Sequence, residues 1–135
     1  MVKNKDGVEL SVNTEFKTTI KLEDDFVSEY LKALDLDPEG EYIPSSIFAN
    51  YNMWNSTLGN PPQGTVHLKQ KTESYLSPVR GEVYEAKVTI KDIYEKRNRD
   101  YLVFETEISK DEQLYYRSLT TYLWGFANKS KEGVK

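Results

Sequence analysis

The sequence contains no cysteine and a single histidine, His67, in 135 residues. Without cysteine there is no disulfide framework, no thiol nucleophile and no zinc ribbon. This usage fits a reducing compartment, and a cytoplasmic protein is expected. No Ser-His-Asp set, metal-ligand spacing or phosphate loop is present, so neither a metal nor a resident cofactor is expected. No apolar run approaches the ~20 residues that cross a bilayer. The stretch Met1-Val2-Lys3-Asn4-Lys5-Asp6-Gly7 is basic but has no apolar segment behind it, so it does not read as a signal peptide. A net charge of -4 argues against general affinity for nucleic acid.

What is there suits one domain. A hydrophobic fraction of 38% supports a single core. Ten residues are tyrosine, and a buried phenol needs a partner, so pocket walls, sheet edges and interfaces are favoured. Acids gather between Glu23 and Glu41 as a solvated lobe. Residues 1–12 read as a loose end. Phe16, Thr18, Ile20 and Leu22 alternate with polar neighbours and predict a strand. Phe26, Tyr30, Leu31 and Leu34 recur at helical spacing behind Asp24 and Asp25, predicting a helix over 24–35. Pro44 suits a first helical position. Ile47, Phe48, Tyr51, Trp54 and Leu58 then form an aromatic stripe, predicting a second helix over 45–58 that Gly59-Asn60-Pro61-Pro62 stops. Four strands follow, over 64–75, 82–95, 101–109 and 114–124, in a meander. The tail from Asn128 is polar and reads as disordered. The whole predicts an α+β domain in which an antiparallel sheet of about five strands wraps around the long aromatic helix.

Four stretches carry a resemblance. They are Ile43-Pro44-Ser45, Gly64-Thr65-Val66-His67-Leu68-Lys69-Gln70, the turn Leu76-Ser77-Pro78-Val79-Arg80-Gly81-Glu82, and residues 92–106 from Asp92-Ile93-Tyr94-Glu95 onward. Their order and spacing resemble the hot-dog fold, and more narrowly the N-terminal, non-motif type of unit in the MaoC-like dehydratase family, over residues 13–125. The resemblance implies acyl thioesters as substrates, on coenzyme A or acyl carrier protein, and a dimer with a second hot-dog unit, identical or different. Active members present an Asp, an Asn-Pro pair and a His that share acid and base roles. Here Asn60-Pro61 is present, but Leu58 stands where the motif wants Asp and His67 lies six positions beyond Pro61. The resemblance therefore implies a non-motif subunit that shapes the acyl pocket while a motif-bearing partner does the chemistry.

Each candidate residue has two readings. His67 is either a catalytic acid/base or a strand residue bonding across the helix–sheet junction. Asn60 and Gly64, with Thr65 beside them, either present polar groups to the thioester or end the helix and turn the chain. Tyr51 and Trp54 either line an acyl channel or belong to the core. Arg80, with Lys69 and Lys71, either meets coenzyme A phosphates or lies on the surface. Two other classes remain open. A hot-dog thioesterase would carry a carboxylate on the central helix, and residues 45–58 hold no Asp or Glu. A non-enzymatic acyl or lipid carrier would bind acyl groups without turnover.

Overall fold

The computed structural model describes residues 2–125. The expectation of a disordered tail from Asn128 falls outside them. Strands β1 (Val2–Lys3) and β2 (Glu9–Leu10) form a small antiparallel hairpin. The N-terminus is thus not loose: Val2 and Leu10 are buried among Val88, Ile90 and Leu102. The Trp124 indole N–H donates to the Lys3 carbonyl at 2.7 Å and ties the hairpin to the far end of the chain.

The main sheet contains β3 (Glu15–Lys21), β4 (Val66–Ser74), β5 (Val83–Lys96), β6 (Arg99–Lys110) and β7 (Gln113–Trp124). Its order is β3-β5-β6-β7-β4, with every pairing antiparallel. The expected strands are all present. The expected four-strand meander is corrected, because only β5, β6 and β7 follow one another in space. β4 lies at the far edge, beside β7. Residues 75–82 must then carry the chain back past three inter-strand steps of ~4.8 Å.

Helix α1 (Asp24–Ala33) matches its expectation, with Asp24 and Asp25 in the first turn and Lys32 in the last. Val27 and Leu31 are buried against Ile20, Leu22, Tyr84 and Ala86 on the inner face of the sheet. The second helix is corrected. Ser45–Asn50 form only a 3-10 helix, and turns follow to Gly59. The side chains explain the difference, because they compete for backbone partners that an α-helix needs. Asn50 Nδ2 donates to the Ser46 carbonyl, Asn52 Oδ1 accepts from the Trp54 N–H, and Thr57 Oγ1 donates to the Met53 carbonyl at 2.7 Å. The helix lying on the sheet is therefore α1, and the 45–58 segment is an irregular cover beside it. A hydrogen bond between Tyr30 Oη and Ser46 Oγ joins the two. No helix among the described residues is long and apolar enough to cross a membrane.

The core falls into two clusters on one face of the sheet. One lies under α1 and the 3-10 helix; the other lies under the N-terminal hairpin and includes Leu58, Phe104 and Trp124. The space between them forms the candidate site.

Candidate acyl-binding cavity

A cavity of about 110 Å³ lies between the sheet and the 45–58 cover. Phe48, Tyr51, Met53, Trp54 and Leu58 line it from the cover. Val88, Phe104, Thr106, Ser118 and Thr120 line it from the sheet, with Gln70, Tyr116 and Tyr122. A continuous α-helix over 45–58 would have presented one regular ridge to this face. The short 3-10 helix and the turns after it instead leave a gap at the seam of the two clusters.

Strand register decides which side chains face inward. Directly paired residues share a face. Thr72 pairs with Ser118 and Ser118 with Thr106; Gln70 pairs with Thr120 and Thr120 with Phe104. His67 pairs with Tyr122, but the register shifts between His67 and Lys69, leaving Leu68 as a bulge. Simple alternation would put His67 with Lys69 and Lys71 on the outer face. The bulge instead puts it on the same face as Gln70 and Tyr122, as bulges do when they re-aim a side chain. Its ring lies 5.2 Å from that of Tyr122, tilted by 40°. His67 remains exposed, at the rim and not inside the cavity.

Aromatic contacts brace the walls. Trp54 meets Phe104 and Tyr122 edge-on, and Tyr51 meets Phe26 in a T-shaped pair at 5.6 Å. Tyr51 and Trp54 both line the cavity and pack against the core. Burial raises the Tyr116 hydroxyl above its ordinary value, and hydrogen bonds with Ser118 and Gln70 pull it part of the way back. Burial also raises Tyr122. Both phenols stay neutral near pH 7.

The other candidates lie elsewhere. Arg80 is engaged through both terminal nitrogens: Nη1 donates to the Asp24 carbonyl, to Asp24 Oδ1 at 2.7 Å and to Ser28 Oγ at 3.0 Å, and Nη2 donates to the carbonyls of Pro38 at 2.7 Å and Gly40 at 3.4 Å. It clamps α1 to the following loop and does not line the cavity. Asn60 Nδ2 donates to Asn55 Oδ1, and the Asn60 carbonyl accepts from the Lys5 N–H. Thr65 Oγ1 donates to the Pro62 carbonyl and accepts from the Gly125 N–H, joining the start of β4 to the end of β7. Gly64 has a φ of 84°, which only its turn requires. None of these three lines the cavity. Lys69 and Lys71 pair with Thr121 and Leu119 and share the outer face with them. Leu58 is 2% exposed, so the position where the motif would place Asp holds a core side chain.

The sequence reading missed Gln70, Thr106, Tyr116, Ser118 and Thr120. The alternation Tyr116, Ser118, Thr120, Tyr122, Trp124 was the available signal, because the aromatic ends mark the whole series as inward-facing. Among the described residues no cluster of three or more His, Cys, Asp or Glu side chains could hold a metal ion.

The arrangement of five antiparallel strands with α1 on one face recurs in solved structures. The MaoC-like dehydratase from Rhodospirillum rubrum superposes with a TM-score of 0.67, covering 85% of this chain and 93% of its own at 14% identity. The chain has the hot-dog fold. The (R)-hydratase from A. caviae involved in PHA biosynthesis gives a TM-score of 0.65 at 16% identity, over 86% of this chain and 98% of that one. The HadBC (3R-hydroxyacyl-ACP dehydratase) complex from Mycobacterium tuberculosis gives 0.65 at 15% identity, over 84% and 97%. No family model matches the sequence, and no curated protein matches it. The hot-dog fold is thus shared at identities where sequence alone gives no match.

Proposed function

We propose that this chain is an acyl-thioester-binding unit of the MaoC-like dehydratase type, the non-motif subunit of a two-chain (R)-type enoyl hydratase. In this reading the cavity receives an acyl group carried by coenzyme A or acyl carrier protein, in the cytoplasm. A second hot-dog chain supplies the Asp and His. The observation that carries the reading is Leu58, buried at the motif position in the wall of the cavity. Hydration needs a base for water and an acid for carbon, both within hydrogen-bond reach of one substrate. Among the described lining residues there is no carboxylate and no imidazole. The same lack of a carboxylate disfavours the thioesterase reading. The heteromeric form is supported by the fold shared with a dehydratase complex.

The test is hydration of crotonyl-CoA by the purified chain, alone and with a chain bearing Asp, Asn-Pro and His in motif spacing. Turnover is expected only with the partner. His67→Ala in this chain is expected to reduce that turnover by much less than ~100-fold, the low end for losing an acid/base group. Robust hydration by this chain alone, abolished by His67→Ala, would overturn the reading and make His67 catalytic.

A further inference from the structure

We propose that the outer face of the sheet docks on the same face of a second copy of this chain, about a two-fold axis that runs along the strands between β6 and β7. This contact is separate from the free edge of β4 and does not depend on what the cavity binds.

Strand register lays this face out in rows across β4, β7, β6 and β5, because directly paired residues share a face. Val66, Leu123, Tyr101 and Tyr94 form one apolar row. Val66 is 45% exposed, and the Tyr94 and Tyr101 rings stack 4.9 Å apart and 6° from parallel. The next row has Lys69 at one end and Asp92 at the other, with Thr121 and Val103 between them. Two rows further on, Glu73, Arg117, Glu107 and Lys87 alternate in sign across the four strands. A two-fold axis along the strands lays each row on its own reverse. A row that runs from positive to negative, or alternates over an even number of strands, is then its own complement.

Sheets packed face to face lie ~10 Å apart with their strands nearly aligned. An axis between β6 and β7 sets β4 over β5 and β7 over β6. Lys69 then faces the partner subunit's Asp92, Glu73 faces the partner subunit's Lys87, and Arg117 faces the partner subunit's Glu107. Symmetry makes each pair twice. In the row between, Lys71 and Glu105 face Thr89 and Leu119, which carry no charge. Other axes along the strands oppose like charges. Over β6, Glu105 and Glu107 would each meet their own copies; over β7, Glu73 would meet Glu107. Between β5 and β6, Arg117 would meet Lys17, which continues the charged row onto β3. Opposed charges fix this register, and the apolar row supplies the burial. Four strands by four rows cover about 500 Å² per copy, less than a standard interface, so the contact forms at high concentration. A different chain paired with β4 would lie over the second copy's β3, widen the contact and close the assembly at two chains of each kind.

The test is sedimentation equilibrium of the full chain up to several hundred micromolar. Lys69→Glu and Asp92→Lys should each weaken self-association about fivefold or more, and the double variant should return to within about twofold of the unaltered chain. Within one chain these positions are three strand steps apart, ~14 Å, so the restored pair must form between chains. Asp92 is equally far from the β4 edge, so pairing along that edge would not restore it. Val103→Cys gives a second reading, because the chain has no other thiol. Across the proposed interface its two copies face each other from backbones ~11 Å apart, whereas pairing along β4 would hold them ~24 Å apart. A short bismaleimide should therefore link them. A double variant no better than the single ones, Val103→Cys left unlinked where the chain is associated, or a monomer at every concentration would overturn the proposal. Each of these results leaves the acyl reading standing, since turnover tests that.

Discussion

Gly59 is the residue whose replacement the structure penalises most directly. Its φ is +79°, and a Cβ built there would lie 2.3 Å from Asn4 Nδ2. That amide in turn donates to the Leu58 carbonyl at 3.0 Å, next to the cavity wall. Gly7 also has a positive φ, but a Cβ there meets nothing within 4 Å. Gly59→Ala should therefore lower stability by about 1–3 kcal/mol, and Gly7→Ala by about 1 kcal/mol, in chemical denaturation. Equal losses would show that the packing against Asn4 contributes nothing. At this scale the sequence was legible wherever a residue type has one dominant use. Gly59 ended its segment as expected, and Trp54 and Tyr51 reached both the core and the cavity. Arg80 was not legible, because its acceptors are mostly backbone carbonyls, and nothing in a residue pattern marks a carbonyl as available. His67 was half legible: its strand could be read, but its face depends on a single bulged residue, Leu68.

Strands were legible because alternation survives over many residues, while the 45–58 segment was misread because periodicity outvoted side-chain competition. Its aromatic residues do lie inward, as the helical spacing predicted, but Asn50, Asn52 and Thr57 claim the backbone groups that would have extended the helix. The outer face of the sheet carries a separate cross-strand device. Glu107 lies among Lys87 at 3.3 Å and Arg117 at 3.1 Å, and Glu105 lies 3.9 Å from Arg117 Nε. Partial burial pushes the Glu107 carboxyl up, but the hydrogen bonds and charges of Arg117 and Lys87 outweigh it and leave it below its ordinary value of 4.5. A depressed carboxylate means that the folded chain holds fewer protons than the unfolded chain between the two pKa values. Its contribution is complete above the ordinary value and fades as pH falls through the folded one. Glu107→Gln should thus destabilise the chain by about 1 kcal/mol at pH 7, a modest effect suited to a partly solvated pair. That difference should shrink steadily below pH 4.5. Urea midpoints measured from pH 7 to pH 3 would show it, and a pH-independent difference would assign the effect to packing.

At the scale of the whole molecule, β4 is left unfinished. All nine of its residues are exposed, and among the described residues it pairs on one side only. An open edge of this length invites another strand. A copy of the chain related by a two-fold axis would pair antiparallel with it, and keeping both inner faces on one side requires one residue to sit opposite itself. At Gln70 the axis would place Lys69 against the partner subunit's Lys71. At Lys71 it would place lysine against lysine. At Thr72 it places Lys71 against the partner subunit's Glu73 and Gln70 against the partner subunit's Ser74, with no like charges opposed. This register also sets the hollow lined by Ser46, Ala49, Gln70, Thr72, Ser74 and Tyr116 beside its copy in the second chain. The chain has no cysteine, so one introduced thiol reports the axis. Thr72→Cys should form an interchain disulfide on mild oxidation, because directly opposed strand residues have Cα atoms ~4.5–5.5 Å apart, within disulfide reach. Gln70→Cys should not, since the same register separates its two copies by more than ~10 Å. A motif-bearing partner that takes the same edge should suppress the Thr72→Cys product when added before oxidation. Cross-linking at position 70 and not at 72 would move the axis to Gln70, and a monomer in light scattering at micromolar concentration, with and without that partner, would show that β4 is not the interface.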